Sequence, residues 1–141
     1  MWIYWGQSVI IGVMNVLRML SLKNFSTEGM TQNGRPVSET MSAKAGVAGF
    51  FALHYGFFHL VYALFLWQEQ PLDALSMHEA LLMMLGLSAF VGSHSFSFMH
   101  NFAADFRHAK PNLGTLMFYP YLRIIPMHIA IIFGGFLSQI G

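Results

Sequence analysis

A chain of 141 residues that is 55% hydrophobic, only 9% charged and +0.53 in mean hydropathy is too apolar for a soluble domain of its size. It holds no cysteine, which excludes disulfides, thiolate zinc sites, iron–sulfur ligation and covalently attached haem. A net charge of +1 with no basic run leaves nucleic acid nothing to bind.

The first apolar segment, Trp2–Leu20, approaches the ~20 residues that a spanning helix needs. No Lys or Arg precedes Arg18, so the segment lacks the positive leader of a signal peptide and reads as a retained helix. At ~100° of rotation per residue, Ser8, Gly12 and Asn15 share one face, with Arg18 beside it. Residues 21–43 form the only sizeable polar segment, read as a cytoplasmic loop. Asn33-Gly34 followed by Arg35-Pro36 is turn chemistry within it. A lid or partner contact and a plain solvated connector both fit such a loop.

The second span covers about 45–67. Along it Ala45, Gly49, Ala52, Gly56, His59 and Ala63 make a small-residue seam, the pattern that permits close helix approach. His54 and His59 stand five residues apart, about 140° around the helix, and cannot both point at one centre. The third helix runs over about 77–105. Ser76 followed by Glu79 is a capping box at its start, and Pro111 lies beyond its end. His94, Ser97, Asn101, Asp105 and His108 form one polar stripe on it. The fourth helix covers about 120–140, with Pro120 expected in its first turn, where a missing N–H costs little. Pro126 lies inside and leaves the Leu122 carbonyl without its usual partner. That opening should face the bundle or a hydrated cavity, flanked by Arg123 and His128.

The expected fold is therefore all-α, a four-helix transmembrane bundle forming a single integral-membrane domain over 1–141. All seven Lys and Arg residues fall on one side of it, which places both termini outside the cytoplasm. Trp2, Tyr4, Trp5 and Trp67 make an outer aromatic belt, and Tyr119 and Tyr121 an inner one.

Six of the seven histidines lie in or beside the apolar segments. An ionisable group in hydrocarbon is costly and normally marks a functional site. With a rise of ~1.5 Å per residue, Asn15, His94 and His128 fall roughly 7–11 Å inside the cytoplasmic edge, and His54 about 13 Å. His54, His94 and His128 are thus a candidate metal or cofactor site for zinc, copper or iron, with His59 as a further ligand candidate. Asn15, Arg123, Asp105 and Asn101 are its supporting residues. Asp105 stands about 16 Å along the helix from His94, so an access path suits it better than ligation. A b-type haem held by two of these histidines is a second reading. Proton transfer through neutral histidines and Tyr55 or Tyr62 is a third. A hydrogen-bonded core that merely fixes helix register is the bland alternative. No Ser-His-Asp, P-loop or dinucleotide fingerprint is present.

Several blocks carry a family resemblance. Tyr4-Trp5-Gly6-Gln7-Ser8 and the residues after it, His54-Tyr55-Gly56-Phe57-Phe58-His59, Ser93-His94-Ser95-Phe96-Ser97-Phe98 and Pro120-Tyr121-Leu122-Arg123-Ile124-Ile125-Pro126-Met127-His128 resemble a widespread group of uncharacterised bacterial integral-membrane proteins. The resemblance covers most of the chain outside the loops and carries no assigned activity. It implies a multi-pass protein of the bacterial inner membrane in which His54, His59, His94, Arg123 and His128 occupy recurring polar positions. Typical members have further hydrophobic helices at both ends, so this shorter chain is expected to complete its bundle with another. On that alternative it is a homo-oligomer or an accessory subunit of a larger membrane complex, with no chemistry of its own. Its partners would be membrane lipids and other membrane subunits. The Ala45–Ala63 stripe and the Ser8–Asn15 face would meet them.

Overall fold

The computed structural model describes residues 1–105 and 110–140, the side chains of 101–105, 127, 130–132 and 134–140 excepted. Four helices make an all-α bundle: α1 (Trp2–Ser21), α2 (Met41–Glu69), α3 (Met77–Asp105) and α4 (Leu113–Ile140). Among the described residues, three of them are long and apolar enough to cross a membrane: α1, α2 and the Met77–His100 stretch of α3.

Local chemistry sets the helix starts. At α3 the capping box forms as expected: Ser76 N–H donates to Glu79 Oε2 at 2.9 Å, and Glu79 N–H to Ser76 Oγ at 3.3 Å. Helix α2 begins four residues before the expected position because Thr40 caps it, its Oγ1 accepting from Ala43 N–H at 3.1 Å. Helix α4 begins at Leu113, where the Asn112 side chain accepts from Thr115 N–H at 3.0 Å. Pro120 therefore lies two turns inside α4, not in its first turn as its position in the apolar run implied. A proline there deprives the carbonyl four residues back, that of Leu116, of its helical donor. Asn15 of α1 supplies the replacement: its Nδ2 donates to the Leu116 carbonyl at 2.7 Å.

Helix α1 is the axis of the bundle. It packs on α2, α3 and α4, and α2 also meets α4. Gly12 lets α2 come close, since a Cβ there would stand 2.5 Å from Tyr55 Cε1. The Tyr55 hydroxyl then donates to the Ser8 carbonyl at 2.9 Å and takes the Ser8 hydroxyl at 2.8 Å. The Ser8–Asn15 face, expected to meet a partner, is thus used up inside the chain. Ala45, Gly49, Ala52 and Gly56 remain exposed, while His59 of the same seam is buried. Three residues of the expected outer belt also turn inward, Tyr4 toward α4 and the two tryptophans toward α2. Trp2 Nε1 donates to the Gln70 carbonyl at 2.7 Å and Trp5 Nε1 to the His59 carbonyl at 2.8 Å, tying the start of α1 to the second half of α2.

The polar segment between α1 and α2 packs onto the bundle. Leu22, Phe25 and Thr27 are buried, and Ser26 exchanges backbone hydrogen bonds with Pro111 and Leu113, both at 2.9 Å. Strands β1 (Thr31–Gln32) and β2 (Arg35–Pro36) pair across Asn33 and Gly34. Those two residues have φ of 52° and 74°, the positive values that a primed two-residue turn demands. Lys44, at 5% exposure, donates through Nζ to the carbonyls of Leu20 and Leu22 at 2.9 and 2.7 Å. It satisfies the C-terminal carbonyl end of α1 with a cation, the sign that end favours.

Helix α3 is the outlier. None of the residues in its apolar window is buried, and among the described residues it packs mainly on α1. A cleft therefore opens between α3 and α4, floored by α1.

Candidate functional site

The expected histidine trio does not assemble. Among the described residues no three His, Asp or Glu side chains come together as a metal-binding group. His54 is exposed on α2, with Nδ1 hydrogen-bonded to the Tyr121 hydroxyl at 2.7 Å. The His128 ring is hydrogen-bonded to the Tyr62 hydroxyl. Phe58 packs edge-on against both rings, at 5.1 and 5.6 Å between centroids. These two histidines thus serve the α2–α4 seam. His94 lies elsewhere, stacked on Phe90 of its own helix at 4.1 Å. A common depth was expected from an α4 boundary near Arg123; α4 begins at Leu113, and His128 pairs with Tyr62, about two turns along α2 from His54, so the rings stand at different heights. His59, the fourth candidate ligand, is buried against Tyr55, with ring centroids 4.3 Å apart. The side chains of Asn101 and Asp105 lie outside the described residues.

The α1–α3–α4 cleft gathers polar groups from three helices. It encloses about 520 Å³ and is lined by Asn15 and Arg18 of α1, His94 and Ser97 of α3, and Tyr119 and Arg123 of α4. Ile11, Met14, Phe98, Leu116 and Leu122 complete an apolar wall. No carboxylate is among the described residues that line it.

Among the described residues, the partners of the Arg123 side chain are neutral. Its Nη2 donates to Gln7 Oε1 at 3.3 Å, and its guanidinium lies 5.4 Å from the Tyr4 ring centroid and 5.6 Å from that of Phe90. The Tyr4 hydroxyl donates to the Arg123 carbonyl at 3.0 Å, fixing the backbone from which the side chain departs. Arg123 Nε and His94 Nδ1 are both buried with no hydrogen-bond partner among the described residues. Phe90 links them, stacking on His94 and lying beneath the guanidinium. Aromatic faces and an amide orient a guanidinium without cancelling its charge. Held in this way, Arg123 gives the described lining of the cleft a guanidinium whose N–H groups only donate.

Asn15, His94 and Arg123 were legible as candidates from sequence, but Tyr4, Gln7 and Phe90 were not. The signal was present in helical spacing. Tyr4, Gln7, Ile11, Met14 and Arg18 recur at three- and four-residue steps, as do Phe90, His94 and Ser97.

The model of a family of unknown function, DUF6498, matches residues 1–141. No curated protein and no solved structure matches the chain. With the whole length matched, the chain belongs to DUF6498, a family of unknown function.

Proposed function

We propose that this is a membrane-embedded binding protein whose α1–α3–α4 cleft receives the anionic group of an amphiphile. Arg123 is the principal donor, with His94, Arg18 and Asn15 around it and the apolar wall taking the aliphatic part. The observation that carries this reading is Arg123 itself: a guanidinium oriented by Gln7, Tyr4 and Phe90, with no carboxylate among the described lining residues. A guanidinium matches carboxylate and phosphate by paired N–H donors, and gains most where water is scarce. The separated histidine rings give metal or haem ligation less support. Binding of dodecyl phosphate to the detergent-purified chain, compared with dodecyl maltoside, tests the reading. The phosphate should bind selectively, and Arg123→Gln should weaken it by roughly tenfold or more, the worth of hydrogen bonds to a charged group. Equal binding by the two proteins, or no preference for the anion, would overturn it.

A second reading has one observation in its favour. The apolar window of α3 contributes no buried residue, as a helix awaiting a partner subunit would. On that reading the chain is an accessory subunit or a homo-oligomer docking through α3. Native mass spectrometry in lipid discs separates the two: a lone monomer that still binds the anion removes the subunit reading.

A further inference from the structure

Between α1 and α2 lies a second cavity of about 260 Å³, and none of its lining residues lines the Arg123 cleft. Its wall is almost wholly apolar, built from residues such as Val13, Phe51, Ala52 and Gly56. Two polar side chains interrupt it. The Tyr55 hydroxyl is already taken up by Ser8. The other is His59, at 3% exposure.

The state of His59 follows from its partner. Its Nδ1 lies 2.9 Å from the Tyr55 carbonyl. A carbonyl only accepts, so Nδ1 carries the hydrogen. A buried imidazolium without a counter-charge is far costlier than a neutral ring, so Nε2 is a bare lone pair. That Nε2 is buried and has no hydrogen-bond partner among the described residues. An acceptor in this position is unfavourable unless something donates to it. Donation to Nε2 requires a small turn of the ring about its broad terminal torsion, which shifts Nδ1 by a similar amount and lengthens its bond to the Tyr55 carbonyl.

We propose that this cavity binds an aliphatic chain bearing a hydroxyl, the O–H donating to His59 Nε2 and the chain lying over Gly12, Ala52 and Gly56. The wall selects the class. A carboxylate would bring an unpaired charge against apolar residues, and an ether or ketone has no hydrogen to offer a lone pair. The open side of the cavity is formed by exposed small residues, and nothing stands within 4 Å of the position a Cβ on Gly56 would take.

The test uses the full chain in lipid discs with nitrogen-labelled histidine, titrated with decanol, decyl methyl ether or decane. Decanol should shift the His59 Nε2 resonance and bind roughly tenfold more tightly than the ether, the margin of one satisfied buried acceptor. Gly56→Leu, at an exposed position with room for the added side chain, should fill the cavity and abolish the shift while the chain remains folded. His59→Phe should erase the preference for the alcohol over the ether. Equal binding of alcohol and ether, an unmoved Nε2 resonance, or decanol binding untouched by Gly56→Leu would each overturn the proposal.

Discussion

Pro120 takes a backbone donor out of α4, and Asn15 of α1 gives one back. That exchange makes the two residues an energetic pair although 105 positions separate them. Asn15→Ala leaves the Leu116 carbonyl without its side-chain donor and should destabilise the fold by about 1–3 kcal/mol, the cost of an unmade buried hydrogen bond. In a Pro120→Ala background the N–H of residue 120 returns to that carbonyl, and most of the loss should vanish. A double-mutant cycle followed by unfolding in mixed micelles reads the coupling. Additive effects would mean that the Asn15 contact does no more than accompany the proline. Gly12 makes a simpler case. Gly12→Ala drives a methyl into the Tyr55 ring, and overpacking of this kind should cost about 1–3 kcal/mol, seen as a lowered unfolding midpoint.

At the level of elements, legibility followed the chemistry of helix ends. Ser76 and Glu79 located the start of α3 because two side chains and two backbone donors close on one another there. The start of α4 was masked by Pro120, since a proline is the usual mark of a first turn, although Leu113, Leu116, Met117 and Phe118 already make the stretch before it apolar. The true signal was Asn112, directly after Pro111 and three residues before Thr115. Asn112→Ala should cost about 1 kcal/mol through the lost cap, read by unfolding, and should loosen the Ser26–Leu113 hydrogen bond. Hydrogen exchange at Leu113 measures the second effect; unchanged protection there would separate the cap from the loop. The histidine trio failed for another physical reason. The depth of His128 was counted from an α4 entry near Arg123, ten residues past the true start, and tyrosines of facing helices claimed His54 and His128. The cleft was half legible. Arg123 and His94 announced themselves as polar residues in apolar runs, while Tyr4 and Phe90 looked like ordinary aromatic residues until a guanidinium was found over them.

For the whole molecule, the four-helix all-α architecture was readable from hydropathy and punctuation alone. Which helix stands at the centre was not, because that role depends on the small residues of α1, Gly6 and Gly12, and on what they admit. The expected orientation rests on the Lys and Arg residues outside α4, which fall to one side; Arg123, ten residues into α4 and bonded to Gln7, does not join them. A reporter fused after Gly141 is expected to be active only outside the cytoplasm, and a cysteine placed at Asn33 to be labelled only from within. The opposite labelling pattern would invert the molecule and carry the Arg123 cleft to the other leaflet.

The attachment of α3 has a mechanical corollary. One wall of the cleft hangs mainly from α1, while the other belongs to a helix locked to both α1 and α2. One of the closest approaches in that attachment is where Leu87 rests on Gly6, with 2.8 Å between Leu87 Cδ2 and the position a Cβ on Gly6 would occupy. A methyl there displaces only the flexible end of Leu87, whereas a bulky ring acts as a shim. Gly6→Phe moves no charge and touches no lining residue, yet it should tilt α3 outward and widen the passage. Anions with bulkier head groups would then be admitted while affinity for slender ones falls.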